Sequence, residues 1–186
     1  MTPLTKSSEF SHLHLGLDDF ILCLLKYHIM NLMEPEVLIK SLDISSTAFK
    51  SGDLIPEKYT CDGQNFNPPL DIKRLPYDTK SLVLFVEDPD APVGTWTHWL
   101  VWNIPPSKHL KENKVLGVEG VNDFQQHHYA GPCPPSGTHR YYFKIYALDD
   151  ELDLPANTQK LQLEKAIKGH VLGYGEHIGI YRATDS

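Results

Sequence analysis

Three residues in this sequence have the types and surroundings to bind a charged ligand: Asp88, His98 and His139. Asp88 opens "DPDAP" (88–92), His98 lies inside "THWLVWNIP" (97–105), and His139 closes "CPPSGTH" (133–139). A carboxylate beside an imidazole orients the ring and favours its charged form. A charged imidazole then donates a strong hydrogen bond to a phosphate oxygen. The plainer reading stands beside this one. Asp88 and Asp90, each closely followed by a proline, also fit Asx-turns, and a single histidine is more often structural than ligating.

The same residue types allow two other chemistries. Two histidines and an aspartate could hold zinc with one position open. Cys133 near His139 could form a nucleophile–base pair. No HExxH, GxSxG or P-loop pattern accompanies them, and no oxyanion device is legible. The residues therefore favour a binding protein over an enzyme, with no cofactor and no metal. A metal-dependent or Cys/His hydrolase using the same pocket is the alternative.

Strands must position these groups. "SLVLFVE" (81–87) is a continuous apolar run, as expected of a strand buried on both faces. "HWLVWNI" (98–104) and "RYYFKIYAL" (140–148) are the next strong strands. Alternation puts Trp96, His98, Leu100, Trp102 and Ile104 on one face, and His139, Tyr141, Phe143, Ile145 and Ala147 on one face. Asp88 is in phase with Leu82, Leu84 and Val86. A short 88–95 connection makes an antiparallel hairpin that brings Asp88 close to His98. "LIKSLDIS" (38–45) reads as a further strand, and a last one is expected near 177–182. The stretch 105–138 has weak periodicity, and a loop of that length in a compact domain is often functional. One helix is convincing, capped by Thr158, striped by Leu161, Leu163, Ala166 and Ile167, and stopped at Gly169. Many strands with one late helix predict a mainly β fold: a two-sheet β-sandwich with peripheral α-helices.

The chain has 186 residues, 41% hydrophobic and 22% charged, with a net charge of -7. One domain of that size can bury a sizeable core. The negative balance speaks against a nucleic-acid footprint. Three cysteines, Cys23, Cys61 and Cys133, make no disulfide framework and no CxxC pair. They favour a reducing, cytoplasmic setting, with a single Cys61–Cys133 bridge left open. The N-terminal run Phe20–Leu25 is far shorter than the roughly 20 residues that span a bilayer. Asp18 and Asp19 stand where an export signal carries positive charge. The run reads as a short amphipathic helix docking on the domain; a start at Met30 or Met33 is a second reading.

Taken together, "YTCDG" (59–63), "DPDAP" (88–92), "THWLVWNIP" (97–105), "YAGPCPPSGTHRYYFKIYALD" (129–149) and "KGHVLG" (168–173) resemble the phosphatidylethanolamine-binding protein family. The likeness is to its bacterial-type, Raf kinase inhibitor-like branch. It covers roughly residues 37–183 and leaves residues 1–36 as an N-terminal extension. It implies a two-sheet antiparallel sandwich with a small pocket for phosphate or a phosphoethanolamine headgroup. It further implies Asp88 as pocket carboxylate and His98 and His139 as pocket histidines. Pro134 and Pro135 become a loop wall, Tyr141 a side wall, and Asp90 and Trp96 supporting residues. A regulated protein partner such as a kinase is also implied, and the protein would be a monomer or homodimer. Gly173-Tyr174-Gly175 stands where many relatives carry an Ala-Glu-Ala type sequence, and is expected to border the pocket.

Overall fold

The strand 81–88, built around the apolar run Leu82–Val86, becomes the centre of the protein. In the computed structural model, which describes residues 38–114 and 116–183 together with Ile21, Leu22 and Leu25, all eight residues of this strand are buried. In chain order the strands are β1 (Lys40–Ser41), β2 (Asp43–Ser45), β3 (Leu70–Lys73), β4 (Ser81–Asp88), β5 (Trp96–Ile104), β6 (His109–Leu110), β7 (Val118–Glu119), β8 (Thr138–Leu148) and β9 (Val171–Arg182). One helix, α1 (Lys160–Ile167), precedes β9. Ile21, Leu22 and Leu25 are helical; the remainder of the expected docking helix and the Met30 and Met33 starts lie outside the described residues. Among the described residues, no helix is long and apolar enough to cross a membrane.

A six-stranded sheet has the order β1-β9-β8-β4-β5-β7, and a three-stranded sheet the order β2-β3-β6. β4 forms the expected antiparallel hairpin with β5 and pairs on its other side with β8. Alternation then gives β4 two different cores. Leu82, Leu84 and Val86 face the small sheet and meet Ile44, Leu70, Ile72 and Leu110. Val83 and Phe85 face the other way, with Leu100, Trp102, Leu163 and Ile167. A strand with apolar neighbours on both sides needs no polar face, which accounts for its unbroken hydrophobicity.

Several expectations change. The single strand at 38–45 is divided at Leu42, with β1 in one sheet and β2 in the other. β1 pairs with β9 in parallel, so the large sheet is not wholly antiparallel. The two strands come from opposite ends of the domain, and no tight turn imposes an antiparallel pairing. α1 starts after Gln159 rather than Thr158, because Thr158 N–H is taken by Pro155 O (3.0 Å) and Gln162 reaches back to Gln159 N–H (2.9 Å). Leu163 and Ile167 are its buried residues; Leu161 is exposed.

The last strand is twice its expected length and contains Gly173-Tyr174-Gly175. A Cβ at Gly175 would stand 2.6 Å from Leu42 O, so glycine here admits a closely packed neighbouring chain. Gly175 pairs with Ile145, six residues along β8 from His139. At about 3.3 Å per residue that is roughly 20 Å away. This segment therefore does not border the pocket formed at the other end of β8.

Candidate functional site

Two strands bring the site together through an irregularity that strict alternation misses. Asp88 pairs with Trp96 and Glu87 with Thr97, but Val86 pairs with Trp99. His98 is the extra residue of a bulge. It keeps the face shared by Trp96 and Asp88, and the phase reverses after it. Trp99 and Val101 consequently join the inter-sheet core, while Leu100 and Trp102 pack on the helix side. The expected face Trp96–His98–Leu100–Trp102–Ile104 is thus split at His98, for bulges re-aim side chains in this way. On β8 the expected alternation holds: Tyr141, Phe143, Ile145 and Ala147 all enter the inter-sheet core.

At the end of these strands, Asp88, His98 and His139 are buried. His139 Nδ1 lies 2.7 Å from Asp88 Oδ2. The other carboxylate oxygen, Oδ1, accepts from Asp90 N–H at 2.8 Å. Asp88 therefore both makes the Asx-turn and orients the imidazole; the two readings of this residue coexist. His98 is held differently. Its Nδ1 lies 2.7 Å from Ala130 O, and a carbonyl only accepts, so this nitrogen carries the hydrogen. Burial pushes the His98 pKa down, outweighing the Ala130 carbonyl and the Asp88 charge. A neutral His98 with Nδ1–H presents a lone pair at Nε2. This differs from the expectation that either histidine would serve as a charged donor.

Tyr141 and Phe124 pack edge-on against His98, each with ring centroids 5.2 Å away. The Tyr141 hydroxyl is buried without a hydrogen-bond partner. Burial, then the Asp88 charge, push its pKa far above the ordinary phenol value.

An open cleft of about 210 Å³ lies in front of this group. Asp88, Trp96, His98 and Pro135 line it, as do Cys133 and Phe124. His139, Tyr141 and Pro134 are buried beside it and are not part of its lining. Asp90 is turned aside. Its carboxylate grips Arg140 through Nε (2.8 Å) and Nη2 (2.7 Å) and accepts from Arg140 N–H (2.9 Å). Arg140 holds the Asp90 carboxyl at about 2. Asp90 ties the 89–95 turn to β8 rather than facing a ligand.

Sequence reasoning missed Phe124 and its support. Asn122 is buried and accepts from Phe124 N–H (3.0 Å) and Gln126 N–H (2.9 Å). It donates to His98 O and His128 O, both at 3.0 Å. One side chain thus shapes the turn carrying Phe124 and fixes the backbone of His98. The Asn-Asp pair ahead of Phe124 was the available turn signal. A Cβ at Gly131 would meet Tyr59 O at 2.5 Å, so glycine here admits the neighbouring backbone.

Cys61 and Cys133 form a disulfide across 72 positions. A bridge of this kind is at home in an oxidising compartment, so the cysteines no longer speak for a reducing one. In the bridged form Cys133 has no thiol to act as nucleophile. Among the described residues, no three or more His, Cys, Asp and Glu form a metal-holding group.

Comparison with known proteins agrees with this architecture. Residues 45–182 match the phosphatidylethanolamine-binding protein family. A UPF0098 protein of Archaeoglobus fulgidus is 48% identical over 156 residues, 80% of this chain and 53% of the relative, so the chain spans about half of that protein's length. UPF0098 protein PH1269 of Pyrococcus horikoshii is 47% identical, over 76% of each chain. A phosphatidylethanolamine-binding protein homologue from Chlamydia trachomatis superposes with a TM-score of 0.75 at 40% identity, covering 78% of this chain and 99% of the other. Escherichia coli YbcL, a member of the same family, gives 0.71 at 28% identity, covering 77% and 99%. With the family match running from the end of β2 through β9 and the same fold in these homologues, the chain belongs to the phosphatidylethanolamine-binding protein family.

Proposed function

We propose that this chain binds a small phosphate-bearing anion, free or as the headgroup of a phospholipid, at the Asp88–His98–His139 end of a β-sandwich. The observation that carries the reading is the convergence of three buried polar side chains, from β4, β5 and β8, beside one open cleft. Burying such groups is costly unless they are paired, and Asp88, His98 and His139 each have a bond that fixes their orientation. The family name supports the ligand class. Binding rather than turnover is the role proposed, since bridged Cys133 offers no thiolate. Calorimetric titration of phosphate and phosphoethanolamine at pH 6 and pH 8 tests it. Binding at pH 6 that weakens at pH 8 is expected, and no binding at either pH would overturn it.

A protein partner seated over the cleft is the second reading, favoured by the exposed apolar rim of Val93 and Phe124. Capture of that partner by a His98→Ala, His139→Ala double variant would remove the cleft from the interface.

A further inference from the structure

The cleft is an unusual place for an anion. Among the described residues, no lysine or arginine lines it, and its one acidic side chain is Asp88. Arg140, next to His139 in the chain, is bound at two nitrogens by Asp90. Lys144 and Lys160 meet Glu87 on the opposite face of β4. Two wall residues, Pro92 and Pro135, have no N–H to offer.

The groups that remain are mostly acceptors. An ionised Asp88 only accepts; its two oxygens take one hydrogen bond each and keep further lone pairs. His98 spends its Nδ1 hydrogen on Ala130, leaving a lone pair at Nε2. The pKa of His98, pushed down by burial, keeps that ring neutral near pH 7. Asp123 adds negative charge toward His98, and His139 and Arg140 are the positive or chargeable groups on the β8 side. Among the described residues, the Tyr141 hydroxyl is a buried donor near Asp88 with no hydrogen-bond partner. An anion with no hydrogen of its own would face the like-charged carboxylate, which is repulsive. An anion carrying a P–OH would turn that contact into a charge-assisted hydrogen bond.

We propose that the cleft recognises a phosphate group through its own P–OH hydrogen, donated to Asp88 or His98 Nε2, and so takes phosphate monoesters as monoanions while excluding sulfate and phosphodiesters. The inference rests on the anion reading above and narrows it. A phosphate monoester loses its second proton at about pH 6. Above that pH the bound ligand must recover one proton from solvent, whereas below it the ligand arrives with the proton in place. The intact diester of a phospholipid lacks this hydrogen, so a free phosphate or a monoester headgroup is the favoured source.

The test is calorimetric titration of the full chain at pH 8 and pH 6, in paired buffers of different ionisation heat and equal ionic strength. The probes are phosphoethanolamine, its diester glycerophosphoethanolamine, and sulfate. Phosphoethanolamine is expected to bind at least tenfold tighter than the other two. It should take up close to one proton per site at pH 8, and clearly less at pH 6. Diester or sulfate binding within threefold of phosphoethanolamine would overturn the inference and leave the anion reading intact. Sulfate binding with proton uptake would do the same, placing the proton on an imidazole. No binding by any probe at either pH would defeat the anion reading and this inference with it. In Asp88→Asn the preference for phosphoethanolamine over sulfate should fall to within threefold, since an amide can donate; a preference still above tenfold would show that Asp88 is not the discriminator. If that variant does not fold, the wild-type titrations decide alone.

Discussion

Glu87 and Asp88 are neighbours on β4, both with side chains only 4% exposed, and they live in opposite ways. Glu87 points to the helix side and is gripped by Lys144 (2.6 Å) and Lys160 (2.5 Å). Burial works to raise its pKa, but the two ammonium groups outweigh it and the net shift is downward. Asp88 points to the other face and, among the described residues, bonds an imidazole and a backbone N–H rather than an ammonium. Burial alone therefore does not mark a site. A buried carboxylate satisfied by two cations is a strut, whereas one left with open lone pairs beside a cleft is available to a ligand.

Breaking each side separately tests this contrast. The largest stability effect is expected on the cleft side, from reducing the Cys61–Cys133 bridge. Loop closure over 72 positions corresponds to roughly 4 kcal/mol. Guanidinium midpoints with and without dithiothreitol measure it, and phosphate affinity should weaken as well because Cys133 lines the cleft. Unchanged affinity after reduction would mean that the loop holds its shape without the bridge.

Next comes Glu87→Ala. Removing one member of a buried ion pair costs about 3–5 kcal/mol; here roughly 2–3 kcal/mol is expected, because both lysines can swing to solvent. Phosphate affinity should stay within about twofold, having no charge of the cleft removed. A larger loss of affinity would erase the distinction between strut and site. His98→Asn probes the other side. The new amide can still donate to Ala130 O but lacks Nε2, so affinity should fall about tenfold, or about 1.4 kcal/mol, with little change in unfolding midpoint. Stability loss without affinity loss would make His98 structural.

The smallest effect is on pH dependence. Burial lowers the pKa of His98 and of His177, whose Nδ1 is buried and unpartnered. The unfolded chain then binds more protons than the folded one as pH drops below 6.5. Their contribution to stability is full above that value and is lost as pH falls through it. Unfolding midpoints at pH 7.5, 6 and 5 should decline, and His177→Phe should flatten part of the decline. Asp90 acts in the same sense only below 3.8, since Arg140 holds it at about 2. A flat profile between pH 7.5 and 5 would show that the two histidines do not carry this linkage.

Residue types and spacing were enough to place β4, β5 and β8, because long apolar strands advertise themselves through hydrophobicity and β-branched or aromatic content. The same patterns singled out Asp88, His98 and His139, and Asp88 in phase with Leu82, Leu84 and Val86 is where alternation puts it. The two-residue strands β6 and β7 carried no such pattern, and β1 and β2 were legible only as one strand at 38–45, their division between two sheets being set by partners distant in the chain. Which imidazole Asp88 holds was likewise open in the sequence. Tertiary pairing decided it: the bulge at His98 and the end-to-end register of β4 with β8 give Asp88 to His139 and leave His98 to Ala130. Tertiary structure also removed Asp90 from the cleft, brought Phe124 into it, and moved Gly173–Gly175 to the far end of the sheet. Sequence sets side-chain chemistry and local periodicity; which nitrogen keeps its lone pair is a matter of distances between strands, and only the folded chain fixes those.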